Sequence, residues 1–304
     1  MTGMDATQLE KIRSGRGFFA ALDQSGGSTP KALAHYGIDE SRYDSEEKMF
    51  DLVHEMRTRV ITDPAFDGSR ILGAILFEQT MERDMHGMPT ARYLWTEKQV
   101  VPFLKVDKGL SAEQSGVQLM KPMDSLDELL TRANKHAIFG TKMRSVINDA
   151  DHDGVAAIAD QQFEYAARIS AAGLVPIVEP EVNIHSPRKS EAETLLRDAL
   201  QTHIDALPDN AAVMLKLTIP TRPGLYADIA ADPRVVRVLA LSGGYSRDEA
   251  CALLAKDPCM IASFSRALLE GLYENQTEEQ FHGQLDISIE QIFVASVDKV
   301  PAGS

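Results

Sequence analysis

The stretch Ala211-Ala-Val-Met-Leu-Lys-Leu-Thr-Ile-Pro220 is apolar almost throughout and ends at a proline. It is short for a helix and reads as a strand buried on both faces. One lysine, Lys216, stands in its middle. Lysine is almost never fully buried unless something compensates for its lost hydration. It either stays charged beside a carboxylate or gives up its proton. A neutral amine is a nucleophile, and with a ketone or aldehyde it forms a Schiff base. The plainer reading is that Lys216 ends the strand and reaches water.

Outward from this stretch, seven more apolar runs read as strands. They cover 17–25, 71–77, 100–107, 139–146 and 174–179 before it, and 235–241 and 259–263 after it. Helical spacing or capping signals occupy 5–14, 45–61, 124–137, 155–172, 190–207, 246–255, a segment from about 265, and 277–297. Asp124 and Ser246 read as N-caps, and Gly173 as a C-terminal stop. Eight strand–helix units predict an α/β fold, a (β/α)8 TIM barrel. It would form one domain over residues 1–304, with extra N- and C-terminal helices. A doubly wound open sheet is the alternative, but no G-x-G-x-x-G opens a helix.

The 304 residues are 44% hydrophobic and 25% charged, enough for a large core. A formal charge of -14 argues against nucleic acid or an anionic membrane as partner. No apolar run approaches a membrane span. The start is polar and mixed in charge, so no signal peptide is expected, and a cytoplasmic location is. Cys251 and Cys259 are too few for a disulfide framework. Among the eight histidines none pairs at i, i+2 or i, i+4, so no metal site is expected.

Several strands carry charge where apolar residues would pack. Residues i and i+2 of a strand share a face, so Lys105 pairs with Asp107, Lys142 with Arg144, and Glu179 with Glu181. Asp23 ends the first strand. All lie in the C-terminal halves of their strands, where barrels build their sites. One such pair can be a structural ion pair. Several at one depth read as a cationic pocket with interleaved carboxylates. Ser242-Gly243-Gly244 and Ser263-Phe-Ser-Arg266 each lead into a helix after the last two strands. Glycine backbone N–H groups and helix N-termini suit a phosphate there.

With these residues in hand, the chain resembles the class I, Schiff-base-forming fructose-1,6-bisphosphate aldolases of the shorter bacterial type. The resemblance runs from Gly17 to about Ser288. It is carried by Ala21-Leu-Asp-Gln-Ser-Gly-Gly-Ser28, Lys105-Val-Asp-Lys-Gly109, Lys142-Met-Arg144, Ile177-Val-Glu-Pro-Glu181 and Leu241-Ser-Gly-Gly244. It implies that Lys216 forms the imine and that Glu179 shuttles protons while it forms. It further implies that Asp23 takes the hydroxyl proton, that Lys142 is the neighbouring cation, and that Glu181 orients the two lysines. Lys105, Arg144, Ser25 and Ser28 would hold the far phosphate. Ser242, Gly243, Ser263 and Arg266 would hold the phosphate beside the ketone. The implied partner is a small sugar phosphate, with no cofactor and no metal; monomer and homo-oligomer both remain open. Two departures stand out. Animal members carry a C-terminal tyrosine for proton transfer, and here no tyrosine follows Tyr273. Residues 298–304 read as a loose polar terminus, leaving Glu179, Asp23, water or, less directly, Tyr245 for that step. Gln24 stands where animal members carry a carboxylate. The competing readings are a metal-dependent aldolase, a transaldolase or other sugar-phosphate lyase, and a non-catalytic sugar-phosphate-binding barrel.

Overall fold

The structure, a computed structural model, describes residues 5–25 and 29–300. Eight parallel strands form the wall: β1 Phe18–Leu22, β2 Ile71–Leu76, β3 Val101–Lys105, β4 Gly140–Ile147, β5 Val175–Val182, β6 Val213–Thr218, β7 Val235–Leu241 and β8 Met260–Phe264. Each pairs with the next, and β8 returns to β1 at Phe19↔Ser263 and Ala20↔Phe264. The sheet is thereby closed, a (β/α)8 barrel. Closure explains the near-continuous apolar runs, because each strand needs apolar residues on both faces. Phe19, Ile75, Phe103, Ile177, Met214 and Leu239 fill the interior. The Phe19 and Phe103 rings lie 5.3 Å apart and tilted. Such rings fit only where the opposing wall is bare: a Cβ on Gly73 would sit 2.5 Å from the Phe19 ring. Each large apolar side chain buried this way contributes roughly 1.5–3 kcal/mol.

The N-terminal helix Ala6–Ser14 closes the floor of the barrel. Ile12 enters the interior cluster, and Arg237 of β7 caps the helix by donating to Ile12 O and Gly15 O, both at 2.9 Å. Asp5 caps its start by accepting from the Thr7 and Gln8 N–H groups. The helix Glu278–Val297 closes the outer ring with a capping box at Thr277 and Gln280. Gly173, at φ +84, ends the helix His152–Ala171 as expected. Ser246 caps Arg247–Leu254 by accepting from the Glu249 N–H.

Two expectations are corrected. Asp124 is not an N-cap: the helix starts at Leu126, after Ser125, whose side chain makes no capping bond, and the Leu126 N–H turns back to Met123 O at 3.1 Å. The C-terminus is not loose where it is described. Lys299 Nζ donates to Met260 O at 2.7 Å, Ala295 O at 3.0 Å and Leu254 O at 3.1 Å. The Val300 N–H reaches Ala255 O. Burial pushes the Lys299 amine down to about 8, against the pull of Asp257 and Cys259.

Elements beyond the sequence reading lie between the strands. Asp84–Met85 and Met88–Pro89 form a hairpin turned by His86 and Gly87, both at positive φ, the backbone such two-residue turns require. Val117–Gln118 pairs antiparallel with the end of β4 and brings Lys121 to the barrel mouth.

Candidate active site

The strand register sets the site. Leu215 is level with Val178, so the next residues along, Lys216 and Glu179, stand level on adjacent strands at the barrel mouth. Lys216 Nζ lies 3.0 Å from Glu179 Oε1. Lys142 Nζ lies 2.7 Å from Glu179 Oε2 and 2.7 Å from Asp23 Oδ2. Four side chains on four strands or strand ends thus form one chain, Lys216–Glu179–Lys142–Asp23. All are buried: Lys216 and Lys142 are 4% exposed, Glu179 3% and Asp23 8%. Lys216 does not reach water, so the plainer reading of its strand is set aside.

Charges this deep must be paired. Burial alone would push the Asp23 carboxyl up. Attraction to Lys142 and Lys216 and the hydrogen bond from Lys142 outweigh it and hold Asp23 well below the usual carboxylate range. Burial alone would push Lys142 down, and Asp23, Glu179 and Asp107 instead hold it well above the usual lysine value. At neutral pH the unliganded cluster therefore holds Lys142 as a cation and Asp23 as an anion.

A cavity of about 880 Å³ opens from this cluster. Eight cations line it (Lys31, Lys105, Lys108, Lys121, Lys142, Arg144, Lys216 and Arg266) against five carboxylates, Asp23, Glu78, Asp107, Glu179 and Glu181. The pocket is cationic in a chain of formal charge -14. Lys105 is held by Asp107 at 2.8 Å and Lys108 by Glu78 at 3.0 Å. Among the described residues Lys31, Lys121 and Arg266 have no ion-pair partner. At the other side, Ser242 is followed by Gly243 and Gly244 at φ +61 and +122. A Cβ on Gly243 would come within 2.6 Å of Ile184, and the Arg266 guanidinium lies 3.7 Å from where a Gly244 Cβ would be. The two segments read separately in the sequence thus meet. Ser263 Oγ is buried with no hydrogen-bond partner among the described residues.

Of the residues singled out in the sequence, Lys216, Glu179, Asp23, Lys142, Glu181, Lys105, Arg144, Ser25, Ser242, Gly243, Ser263 and Arg266 all line this cavity. Ser28 lies outside the described residues. One expected contact differs. Glu181 bonds Arg144 at 2.8 Å, and it is Glu179 that contacts both lysines. Glu181 is two residues further along β5, level with Val146, about 6–7 Å nearer the mouth. Tyr245 packs against the outer core and does not line the cavity.

Sequence reading missed Lys31, Lys121 and Arg57, and gave Glu78, at the end of the second apolar run, no role. Lys108 was visible within Lys-Val-Asp-Lys-Gly109. Arg57 is 1% exposed on the helix Glu46–Thr62 and donates to Thr80 Oγ1 at 2.6 Å and Gln24 O at 2.5 Å, bracing the loop after β1. Its only sequence signal is a charge on the helix face that carries Met56 and Val60. Among the described residues no three His, Cys, Asp or Glu side chains converge as metal ligands, and no helix is long and apolar enough to cross a membrane.

A solved fructose-bisphosphate aldolase of Plasmodium falciparum, in complex with TRAP and a small-molecule inhibitor, has a similar fold. The TM-score is 0.74 at 22% identity, covering 98% of this chain and 95% of that one. A Corynebacterium glutamicum protein from a structural-genomics programme matches at a TM-score of 0.56 and 13% identity, covering 96% and 92%. At these identities the likeness speaks for the barrel alone. The family model described as fructose-bisphosphate aldolase class-I matches residues 4–219, a span that runs from the N-terminal helix through the Lys216 strand. That match covers most of the chain, and the chain belongs to the class I fructose-bisphosphate aldolase family.

Proposed function

We propose that the protein cleaves fructose 1,6-bisphosphate reversibly to dihydroxyacetone phosphate and glyceraldehyde 3-phosphate, through an imine on Lys216. Class I aldolases are metal-independent carbon–carbon lyases that act on sugar phosphates through a lysine Schiff base. The observation that carries the assignment is the 3.0 Å contact of Lys216 with a carboxylate whose other oxygen is held by Lys142. Glu179 takes a proton from the Lys216 ammonium beside it, the freed amine adds to the C2 ketone, and Glu179 returns the proton to the departing hydroxyl so that water leaves and an iminium forms. Asp23 then accepts the C4 hydroxyl proton. The C3–C4 bond breaks, its electrons move into the iminium to give an enamine, and the aldehyde product departs. Protonation of the enamine at C3 and hydrolysis of the imine release the second product. Each positioned proton transfer contributes about 10²–10⁴-fold.

Cations at both ends of the cavity favour a doubly phosphorylated ketose over a transaldolase substrate. The Ser242–Gly244 backbone, Arg266 and the unpartnered Ser263 hydroxyl suit the phosphate next to the ketone. Lys105, Arg144 and Ser25, with Lys31 and Lys121 beside them, suit the far one. Borohydride added with dihydroxyacetone phosphate is expected to tag Lys216 and abolish activity. Tagging at Lys142 or Lys105 instead would refute the assignment.

A further inference from the structure

One buried polar side chain touches the catalytic cluster from behind. Gln162 lies on the helix His152–Ala171, outside the barrel, and is completely buried. Its Oε1 accepts the Glu179 N–H at 3.3 Å, and its Nε2 donates to Ser145 Oγ at 2.8 Å. Ser145 is also completely buried. Both ends of one amide are thus spent on neighbouring strands, β5 and β4, at the level of the proton-transfer carboxylate.

The sheet shows what that amide joins. β4 and β5 pair without a break from Gly140↔Val175 to Ile147↔Val182, and the Glu179 N–H faces β4 within that ladder. β5 and β6 pair only at Ile177↔Met214 and Val178↔Leu215. Pro180 has no N–H to continue that ladder, and further along the Thr218 hydroxyl joins the two strands by donating to Val182 O at 2.7 Å. Gln162 gives the Glu179 N–H a second acceptor from behind the sheet and ties it to Ser145 on β4. That tie also decides function, because Glu179 must keep 2.7 and 3.0 Å contacts with two lysines on two other strands. A shift of about 1 Å at a reacting group costs on the order of a hundredfold in rate.

We infer that Gln162 is a positioning residue for Glu179: its amide bridges β4 and β5 and fixes the backbone from which the proton-transferring carboxylate reaches Lys216. Gln162 touches neither substrate nor reacting atoms. It acts on the steps Glu179 serves, imine formation and hydrolysis, and not on phosphate binding. The catalytic consequence rests on the function proposed above, whereas the clamp itself does not.

The experiment compares Gln162→Met, of similar length without the amide, with Gln162→Glu and Ser145→Ala. Two readouts are taken. The first is the single-turnover rate of borohydride-trappable imine with dihydroxyacetone phosphate, beside steady-state KM and kcat. The second is hydrogen exchange at the Glu179 amide, which needs no activity. Gln162→Met should slow imine formation about 10–100-fold, the usual scale for removing an outer partner of a site residue. KM should stay within about threefold, since uniform binding is untouched. The Glu179 amide, left with its β4 acceptor alone, should lose about threefold or more of its protection. Gln162→Glu keeps the acceptor, and while protonated also keeps the donor. Its imine rate should therefore approach that of the parent at low pH and fall as the introduced carboxyl ionises, a pH dependence that general loosening would not produce. Ser145→Ala, the mildest change, should lose about three- to tenfold and keeps the test open should Gln162→Met fail to fold. Folded variants with unchanged imine rates and unchanged Glu179 exchange would overturn the inference. So would a rise in KM at constant kcat. If the parent forms no imine at all, the proposed function fails, and the exchange result still decides the clamp.

Discussion

Lys142 sits where two buried carboxylates converge, and its charge holds the cluster together. Removing one member of a buried pair leaves uncompensated charge, at a cost of about 3–5 kcal/mol. Lys142→Met should lose that much in urea denaturation at neutral pH. The sign with pH follows from the two shifts. Asp23 is lowered from 3.8, so its contribution is present above that value and disappears as pH falls through the folded value. Lys142 is raised from 10.5, so its contribution is present below 10.5 and disappears as pH rises through the folded value. The stability gap between parent and variant should stay flat from about pH 5 to 9 and close in strong acid. A gap that widens in acid would contradict the ion-pair account. Arg144 offers a test of substrate. It pairs with Glu181 at the mouth, with its side chain partly open to solvent. Arg144→Ala should lower kcat/KM for fructose 1,6-bisphosphate about ten- to a hundredfold more than for fructose 1-phosphate, the worth of a charge-assisted contact of ~1.5–3 kcal/mol. Equal losses would make Arg144 structural.

Among the elements, the C-terminal segment changes role between sequence and structure. It was read as a free end, yet Lys299 is tied to three carbonyl oxygens, one each on the helix Arg247–Leu254, β8 and the last helix. Deleting residues 299–304 should therefore lower stability by about 1–3 kcal/mol through the lost bonds. Cleavage and tritium exchange into dihydroxyacetone phosphate should stay within about threefold, under ~0.7 kcal/mol of barrier. A hundredfold loss of exchange with cleavage intact would show that the tail serves enamine protonation without a tyrosine. The loops show the same division. The hairpin around His86–Gly87 and the strand Val117–Gln118 are two-residue pieces that make sense only against their neighbours.

At the scale of the molecule, an acidic chain encloses a cationic cavity. The surrounding negative charge repels an anionic substrate at long range, and the pocket attracts it at short range. Salt screens the exposed lysines of the mouth most. Raising ionic strength from about 0.05 M to about 0.5 M should raise KM for the bisphosphate about three- to tenfold and leave kcat within about twofold, since the buried Lys216–Glu179–Lys142–Asp23 cluster is shielded from ions. A kcat that falls with salt while KM stays constant would place the sensitivity in the chemistry instead.

The eight strands and most helices were legible from sequence because a closed barrel imposes a local rule: each strand is buried on both faces, so every strand is an apolar run bounded by breakers. Charges inside such runs were equally legible, since burying them without purpose is costly. That is why Lys216, Glu179, Asp23, Lys142 and Arg144 stood out. Partners were not legible. Which carboxylate meets Lys216 depends on the register that sets Leu215 against Val178, and register joins segments far apart in sequence. Lys31, Lys121 and Arg57 lie on helices and loops where a charged residue is ordinary, and only folding turns them toward the mouth or behind the β1 loop. Gln162 had no signal, because a glutamine on a helix looks like surface until folding sets it against Ser145 and the Glu179 N–H. Burial is written locally, one residue at a time, and the sequence alone determined it. Pairing is decided between strands and helices, and only the tertiary structure brought those groups within reach.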